Sequence, residues 1–322
     1  MNCRPTLAAL ALAAVLVAPA AAQSVHALDG THETLSNDFD GRVLFIEYTN
    51  RSDRVQRATV VRLNDYFGLT AAHVAAAIKP GSSPLVGTGT DYHTIQGTTR
   101  NLIDWGTHPT WNGTFDGTVI DLAWVRFDQP LPGPPGFETE TIRGTGTGVA
   151  FTFIGFGQPA TPALGLQGVD GERRAFTGIV DAQGNAGLGV STDYSRSDFL
   201  RLTQRNEPMA GVATSGNSGS PGFKQLDSSL ALLVVANAGA PAYSSSTYSL
   251  RLKAYEAWIV ANTTPPAPCL ADTNGDGILD NGDIGTFVAL FLAGDLAADF
   301  NADGILDNGD IGAFVVAFLA GC

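Results

Sequence analysis

Hydrophobic positions fall into three successive patterns along the 322 residues. The chain opens with a basic start at Arg4, an unbroken apolar stretch from Leu7 to Val17, and the small residues Ala18, Ala20, Ala21 and Ala22 before Gln23. That order predicts an export signal over residues 1–22 and a secreted or cell-surface protein. The stretch is too short to span a bilayer, and no later run reaches the roughly 18–20 apolar residues of a membrane helix. From Arg42 to about Ala242 the pattern changes to short β-rich runs: Val43 to Tyr48, Ala58 to Leu63, Ile120 to Phe127, Val149 to Gly155 and Leu230 to Ala236. Clusters of Gly, Asn, Asp and Pro separate them, as expected of an all-β domain. Ser249 to Asn262 then places Leu250, Tyr255, Trp258 and Ile259 at roughly helical spacing, predicting one closing helix. The segment Thr263 to Pro268 (TTPPAP) cannot continue it, because proline lacks a donor and fixes φ. A domain boundary falls there, so the expected units are residues 23–262, a linker at 263–268, and a small domain at 269–322.

Charge and cysteine content sharpen that division. The formal net charge is −13, and the segment from Cys269 to Cys322 carries nine Asp with no Lys, Arg or Glu, so nine of the thirteen charges are local to it. A tail this acidic is either disordered or binds cations. No basic patch suggests nucleic acid. With Cys3 lost in the signal, Cys269 and Cys322 remain, and an even pair in an exported chain favours a disulfide closing the last domain. Free or intermolecular thiols are the alternative.

Three segments carry the chemistry: Leu69 to Val74 (LTAAHV), Asp121 to Val125 (DLAWV) and Gly216 to Pro221 (GNSGSP). A serine hydroxyl is a weak nucleophile, so it needs a base to take its proton and a third group to orient that base. A Ser flanked by glycines is, by itself, most often a turn serine. In the order His73, Asp121, Ser218, however, the three segments resemble the chymotrypsin-like serine peptidases. Two further segments support the resemblance: THPTWN (Thr107 to Asn112), similar to the family's His-Pro-x-aromatic run, and Tyr255, Trp258 and Ile259, similar to its final helix. The resemblance covers about Asp40 to Asn262. It implies a mainly β fold of two packed antiparallel six-stranded barrels, with the triad in the cleft between them. It also implies polypeptide substrates, no cofactor for catalysis, and an oxyanion hole from the backbone N–H groups of Gly216 and Ser218. An α/β-hydrolase is excluded by order, since it needs its His after the Ser and the last histidine is His108. His26, His32, His93 and His108 show no metal-ligand spacing and read as surface or structural.

The chain departs from the animal digestive enzymes at Asn217, where they carry an Asp that pairs with a newly cut N-terminus. GNSGSP resembles the bacterial glutamyl-endopeptidase-like branch instead. Six residues before Ser218, the base of the specificity pocket falls on Val212, which argues against cleavage after Lys or Arg and points to small or apolar side chains. The competing expectation is an inactive binding protein on the same scaffold.

The tail contains an internal repeat. Asp272 to Asp283 (DTNGDGILDNGD) recurs as Asp299 to Asp310 (DFNADGILDNGD), each followed by an apolar run. Each copy presents oxygens at loop positions 1, 3, 5, 9 and 12, namely Asp272, Asn274, Asp276, Asp280 and Asp283, then Asp299, Asn301, Asp303, Asp307 and Asp310. Glycine holds position 6, and Ile278 and Ile305 would each give a backbone carbonyl at position 7, a spacing that wraps Ca²⁺. Asp in the last position, no helix before the first loop, and the Gly321-Cys322 ending resemble dockerin-like domains of exported bacterial proteins. The resemblance implies a small α-helical domain over two Ca²⁺ ions, docking to a cohesin-like or cell-envelope partner.

Overall fold

The computed structural model describes residues 30–94, 97–114, 119–133, 142–161, 165–168, 170–183, 194–198, 209–225, 228–238, 246–265, 269–276 and 278–321. The expected export signal, residues 23–29, the end of the proline-rich linker and Cys322 lie outside them. Among the described residues no helix is long and apolar enough to cross a membrane.

Two closed six-stranded antiparallel barrels make up most of the chain. The first is built from β1 (Val43–Thr49), β2 (Val55–Arg62), β3 (Phe67–Thr70), β4 (Leu85–Gly87), β5 (Thr99–Thr107) and β6 (Ala123–Phe127), hydrogen-bonded in the order β1-β2-β3-β6-β5-β4. A two-stranded ribbon, β8 (Ala160–Thr161) and β9 (Gly165–Leu166), follows β7 (Ala150–Gly155). The second barrel joins β7 to β10 (Arg174–Gln183), β11 (Tyr194–Asp198), β14 (Ser246–Arg251), β13 (Leu230–Ala238) and β12 (Pro221–Lys224). Closure leaves neither barrel an exposed sheet edge. Because side chains alternate along a strand, β1 sends Leu44 and Ile46 into the first barrel with Val60, Val125 and Phe127, while Val43 faces the seam. Phe151, Phe153, Phe176, Leu232 and Val234 fill the second barrel. A third cluster joins the two: Val61 and Leu69 of the first meet Ile154, Leu233 and Leu250 of the second and Ile259 of the closing helix.

β2 begins three residues before the expected Ala58, at Val55, and two further boundaries moved for a tertiary reason. Ser249 to Arg251 belong to β14, because Ser249 pairs with both Ser195 and Val234 and the strand is needed to close the barrel. The helix follows a 3-10 turn, Leu252–Tyr255, and runs over Glu256–Thr263. At the other position, β6 starts at Ala123; Leu122 still accepts from His108 N–H, but Ile120 N–H turns to the Thr110 hydroxyl and Asp121 to His73.

Ahead of β1, α1 (Thr31–Asn37) packs on β10. His32 Nδ1 lies 2.7 Å from the Ala175 carbonyl, Ser36 Oγ donates to the Arg173 carbonyl, and Phe39 stacks on Phe223 at 4.8 Å. Glu33 pairs with Arg174, and Asp40 with the buried Arg173.

The tail forms its own small core. Its helices are α4 (Asn281–Ala293) and α5 (Asn308–Ala320), counting the short helix after β3 as α2 (Ala72–Ala77) and the closing helix as α3. Phe287 and Phe314 stack face to face at 4.1 Å, with Phe300 edge-on to both. Cys269 packs against this cluster and is disulfide-bonded.

Candidate active site

His73 stands in the first turn of α2, which begins as soon as β3 leaves the barrel wall. Ala72 and Ala75 of that helix pack on Ala123, and their small size lets the helix lie close to β6. Asp121 comes from the bend before β6 and is fully buried. One of its oxygens, Oδ2, lies 2.7 Å from His73 Nδ1, and the other accepts the His73 backbone N–H, also at 2.7 Å. The carboxylate therefore fixes both the ring and the main chain that carries it. On the far side of the ring, His73 Nε2 lies 2.8 Å from Ser218 Oγ. With Nδ1–H donated to Asp121, Nε2 is the acceptor for the serine hydroxyl, which is the tautomer a general base requires. The imidazole keeps about a third of its side-chain surface exposed, at 32%, so a substrate can reach the pair.

Ser218 sits on a turn that needs its glycines. Gly216 has φ +97° and Gly219 φ +86°, both in the left-handed region. A Cβ on Gly219 would meet the Thr59 carbonyl at 2.1 Å. Within this turn the Ser215 carbonyl accepts from Gln158 N–H and the Asn217 carbonyl from Ser220 N–H. A trans peptide points its C=O and N–H in opposite directions. These bonds thus set the directions of the Gly216 and Ser218 N–H groups, neither of which is committed to a backbone acceptor among the described residues. Asn217 is buried and satisfied locally: its Oδ1 accepts from Thr214 N–H at 2.9 Å, and Nδ2 faces Ser220 Oγ at 3.4 Å. Two glycines make room for it. A Cβ at Gly157 would lie 1.9 Å from Asn217 Oδ1, and one at Gly155 would lie 1.8 Å from Ser220 Oγ. Sequence reasoning missed this pair, whose signal was the glycine spacing in Ile154 to Gly157 (IGFG).

Val212 is buried and clusters with Ala210 and Ile179, just upstream of the nucleophile turn. His108, expected to be a surface or structural residue, packs its ring on Tyr255 and Trp258. Burial holds its pKa below the ordinary histidine value.

In the tail, the described residues of the two loops share several turn bonds. Asn274 Oδ1 caps Asp276 N–H and Asp276 Oδ1 caps Ile278 N–H, matched by Asn301 with Asp303 and Asp303 with Ile305. Asp280 and Asp307 begin the helices, and buried Asp283 and Asp310 close a reciprocal capping box with them. Burial raises the pKa of Asp283, but hydrogen bonds from the Asp280 and Asn274 backbones outweigh it and hold the carboxyl below its usual range. Asp310 is held low chiefly by the Asp307 N–H. Asp272 lowers the Asp283 pKa further, and Asp299 that of Asp310, each as a lesser cause. The oxygen-only donor set of each loop suits a hard cation. Among the described residues, no three His, Cys, Asp or Glu side chains converge on one point.

No protein-family model matches the chain, and no curated protein does. Solved structures do. A scabies mite inactivated protease paralogue is similar over 69% of this chain and 94% of its own, with 14% identity and a TM-score of 0.53. HL collagenase is similar over 76% of this chain and 99% of its own, with 18% identity and a TM-score of 0.50. The chain has the double-barrel fold of trypsin-like serine proteases.

Proposed function

We propose that the protein is an exported serine endopeptidase that cleaves peptide bonds through His73, Asp121 and Ser218. The observation that carries this reading is the continuous chain of contacts from Asp121 Oδ2 through the His73 ring to Ser218 Oγ, at 2.7 and 2.8 Å. Ser218 Oγ attacks the scissile carbonyl while its proton passes to His73 Nε2, and the imidazolium formed is stabilised by buried Asp121. The N–H groups of Gly216 and Ser218 receive the oxyanion of the tetrahedral intermediate. Collapse expels the amine, which takes the proton from His73 and leaves an acyl-enzyme on Ser218. Water, deprotonated by His73, then releases the acid. Val212, six residues before Ser218, is assigned to the base of the pocket and would favour small or apolar side chains, and GNSGSP resembles the glutamyl-endopeptidase-like branch. That branch uses a histidine beyond the nucleophile to receive a Glu side chain, and this sequence has no histidine after Ser218.

The tail is a dockerin-like module closed by a Cys269–Cys322 disulfide. Its loops, Asp272 to Asp283 and Asp299 to Asp310, hold one Ca²⁺ each through the carboxylate, amide and backbone oxygens given above, and it tethers the peptidase to a cohesin-like or cell-envelope partner. The reading as an inactive scaffold draws on the inactivated mite paralogue. Against it stands a triad complete and within hydrogen-bonding distance.

Labelling with a fluorophosphonate decides between them. Wild type should label, and Ser218→Ala and His73→Ala should not while keeping the wild-type unfolding transition. A correctly folded wild type that resists the reagent would overturn the peptidase reading.

A further inference from the structure

We infer that Thr59, a residue of the first barrel, is a positioning residue that latches the oxyanion turn of the second; the inference rests on the serine-peptidase reading. Thr59 is a hydroxyl in the apolar run Ala58 to Val61 of β2 and is fully buried. A buried hydroxyl must find partners or cost stability, and the partners here all belong to the nucleophile turn or its supports. Thr59 Oγ1 donates to the Gly216 carbonyl at 3.0 Å and accepts from Phe156 N–H at 3.2 Å. Its backbone N–H donates to the Ser218 carbonyl at 2.9 Å, and its own carbonyl accepts from Thr70 Oγ1 at 2.8 Å. One residue thus holds both carbonyls that flank Asn217.

Gly216 is the joint that needs such a latch. Without a Cβ it moves freely between backbone states, so its neighbouring peptide planes are oriented by hydrogen bonds. Gln158 N–H holds the plane before it, through Ser215 O, and Thr59 Oγ1 holds the plane after it, through Gly216 O. Take the hydroxyl away and Gly216 O and Phe156 N–H both lose that partner inside the seam. The Gly216–Asn217 peptide then keeps only its other bond, Asn217 N–H to the Thr214 carbonyl at 3.0 Å, so Gly216 loses one of the restraints on its ψ and the adjoining plane that carries the Gly216 N–H is less firmly fixed toward the oxyanion. Gly155 supplies the space for the hydroxyl, since a Cβ there would approach Thr59 Oγ1 to 2.8 Å.

The test compares Thr59→Val, which keeps shape and β-branching but removes the hydroxyl, with Thr59→Ser, which keeps the hydroxyl. Removal of one oxyanion donor costs about 10²–10³ in kcat. Loss of its latch should lower kcat on an ester substrate by about 10–100-fold, leave KM within about twofold, and slow fluorophosphonate labelling in proportion. Thr59→Ser should recover to within about threefold of wild type, and Thr59→Ala serves as the second probe if valine unfolds the chain. Wild-type kcat in the folded hydroxyl-free variants, or a loss in Thr59→Ser as large as in Thr59→Val, overturns the latch. Amide chemical shifts and exchange of Gly216 and Ser218 are read in the same variants. If wild type does not label, the peptidase reading fails by itself, and the latch stands or falls on whether those two amides change in Thr59→Val and not in Thr59→Ser.

Discussion

Asn217→Asp asks whether this protease fold has dispensed with the ion pair that an acid before the nucleophile makes elsewhere. Asn217 is buried, with Oδ1 held by the Thr214 N–H at 2.9 Å and 3.3 Å from the Thr214 hydroxyl, and Nδ2 beside Ser220 Oγ. Its hydrogen-bond partners among the described residues are neutral, so an ionised carboxylate at this position would be a buried charge with only neutral donors. A buried charge without its partner costs about 3–5 kcal/mol. The Thr214 N–H offsets part of that, the Thr214 hydroxyl having its one hydrogen on the Gln158 carbonyl at 2.9 Å, which leaves about 2–3 kcal/mol, or roughly two pKa units of upward displacement at about 1.36 kcal/mol each. A carboxyl whose folded-state pKa is raised binds its proton more tightly when folded, so stability declines as pH rises above the unfolded value of about 3.9 and levels off above the folded pKa. Near pH ~4 the protonated side chain is close to an isostere of Asn, and the variant should unfold in urea at nearly the wild-type midpoint. At pH ~8 it should be about 2–3 kcal/mol less stable, and its fluorophosphonate labelling should slow because the turn shifts to hydrate the charge. Equal urea midpoints for the two proteins under the alkaline condition would refute the reasoning and point to a cation reaching this site.

Other expectations are checked as directly. Chelation with EDTA should abolish the helical circular dichroism of the tail while leaving the barrels folded, because apo loops concentrate the carboxylates of Asp272, Asp276, Asp280 and Asp283, and of Asp299, Asp303, Asp307 and Asp310, with no Lys or Arg in the tail to neutralise them; a tail signal indifferent to chelator would sink the calcium reading. Phe287→Ala removes a ring stacked at 4.1 Å on Phe314, and a loss of about 3–5 kcal/mol is comparable to the whole stability of so small a unit, so the tail should melt even with Ca²⁺ present, as seen by calorimetry. A chain beginning at Gly30 should fold normally, whereas one beginning at Arg42 loses Leu35, Phe39 and buried His32 and should give a second barrel open to trypsin or subtilisin. Burial of His108 lowers its pKa, so it contributes a stability loss as pH falls through the ordinary value of about 6.5 that ends below its folded pKa. His108→Phe should remove that step from the pH profile of the unfolding midpoint.

Much of this molecule is legible from residues alone where the information is local. Turn glycines, alternating apolar strands and the apolar runs after each Asp repeat are local patterns, so the β-rich body and the helices of the tail follow from sequence. His73, Asp121 and Ser218, which the fold brings within hydrogen-bonding distance of one another, can be picked out too, as three separate segments whose order resembles one known arrangement. What the sequence does not contain is distance across the fold. Ser249 to Arg251 look helical by spacing and become strand because β11 and β13 on either side both require a partner. Thr59 looks like any strand threonine, and only the packing of one barrel on the other, 157 residues apart in sequence, puts its hydroxyl on Gly216. Gly155 and Gly157 likewise acquire meaning once Ser220 and Asn217 occupy the volume their side chains would fill. Local propensity decides which segments become strands and turns; the shared core of Val61, Leu69, Ile154 and Leu233 decides which of those turns meet, because burying that seam is what brings the His73 side and the Ser218 side within a hydrogen bond.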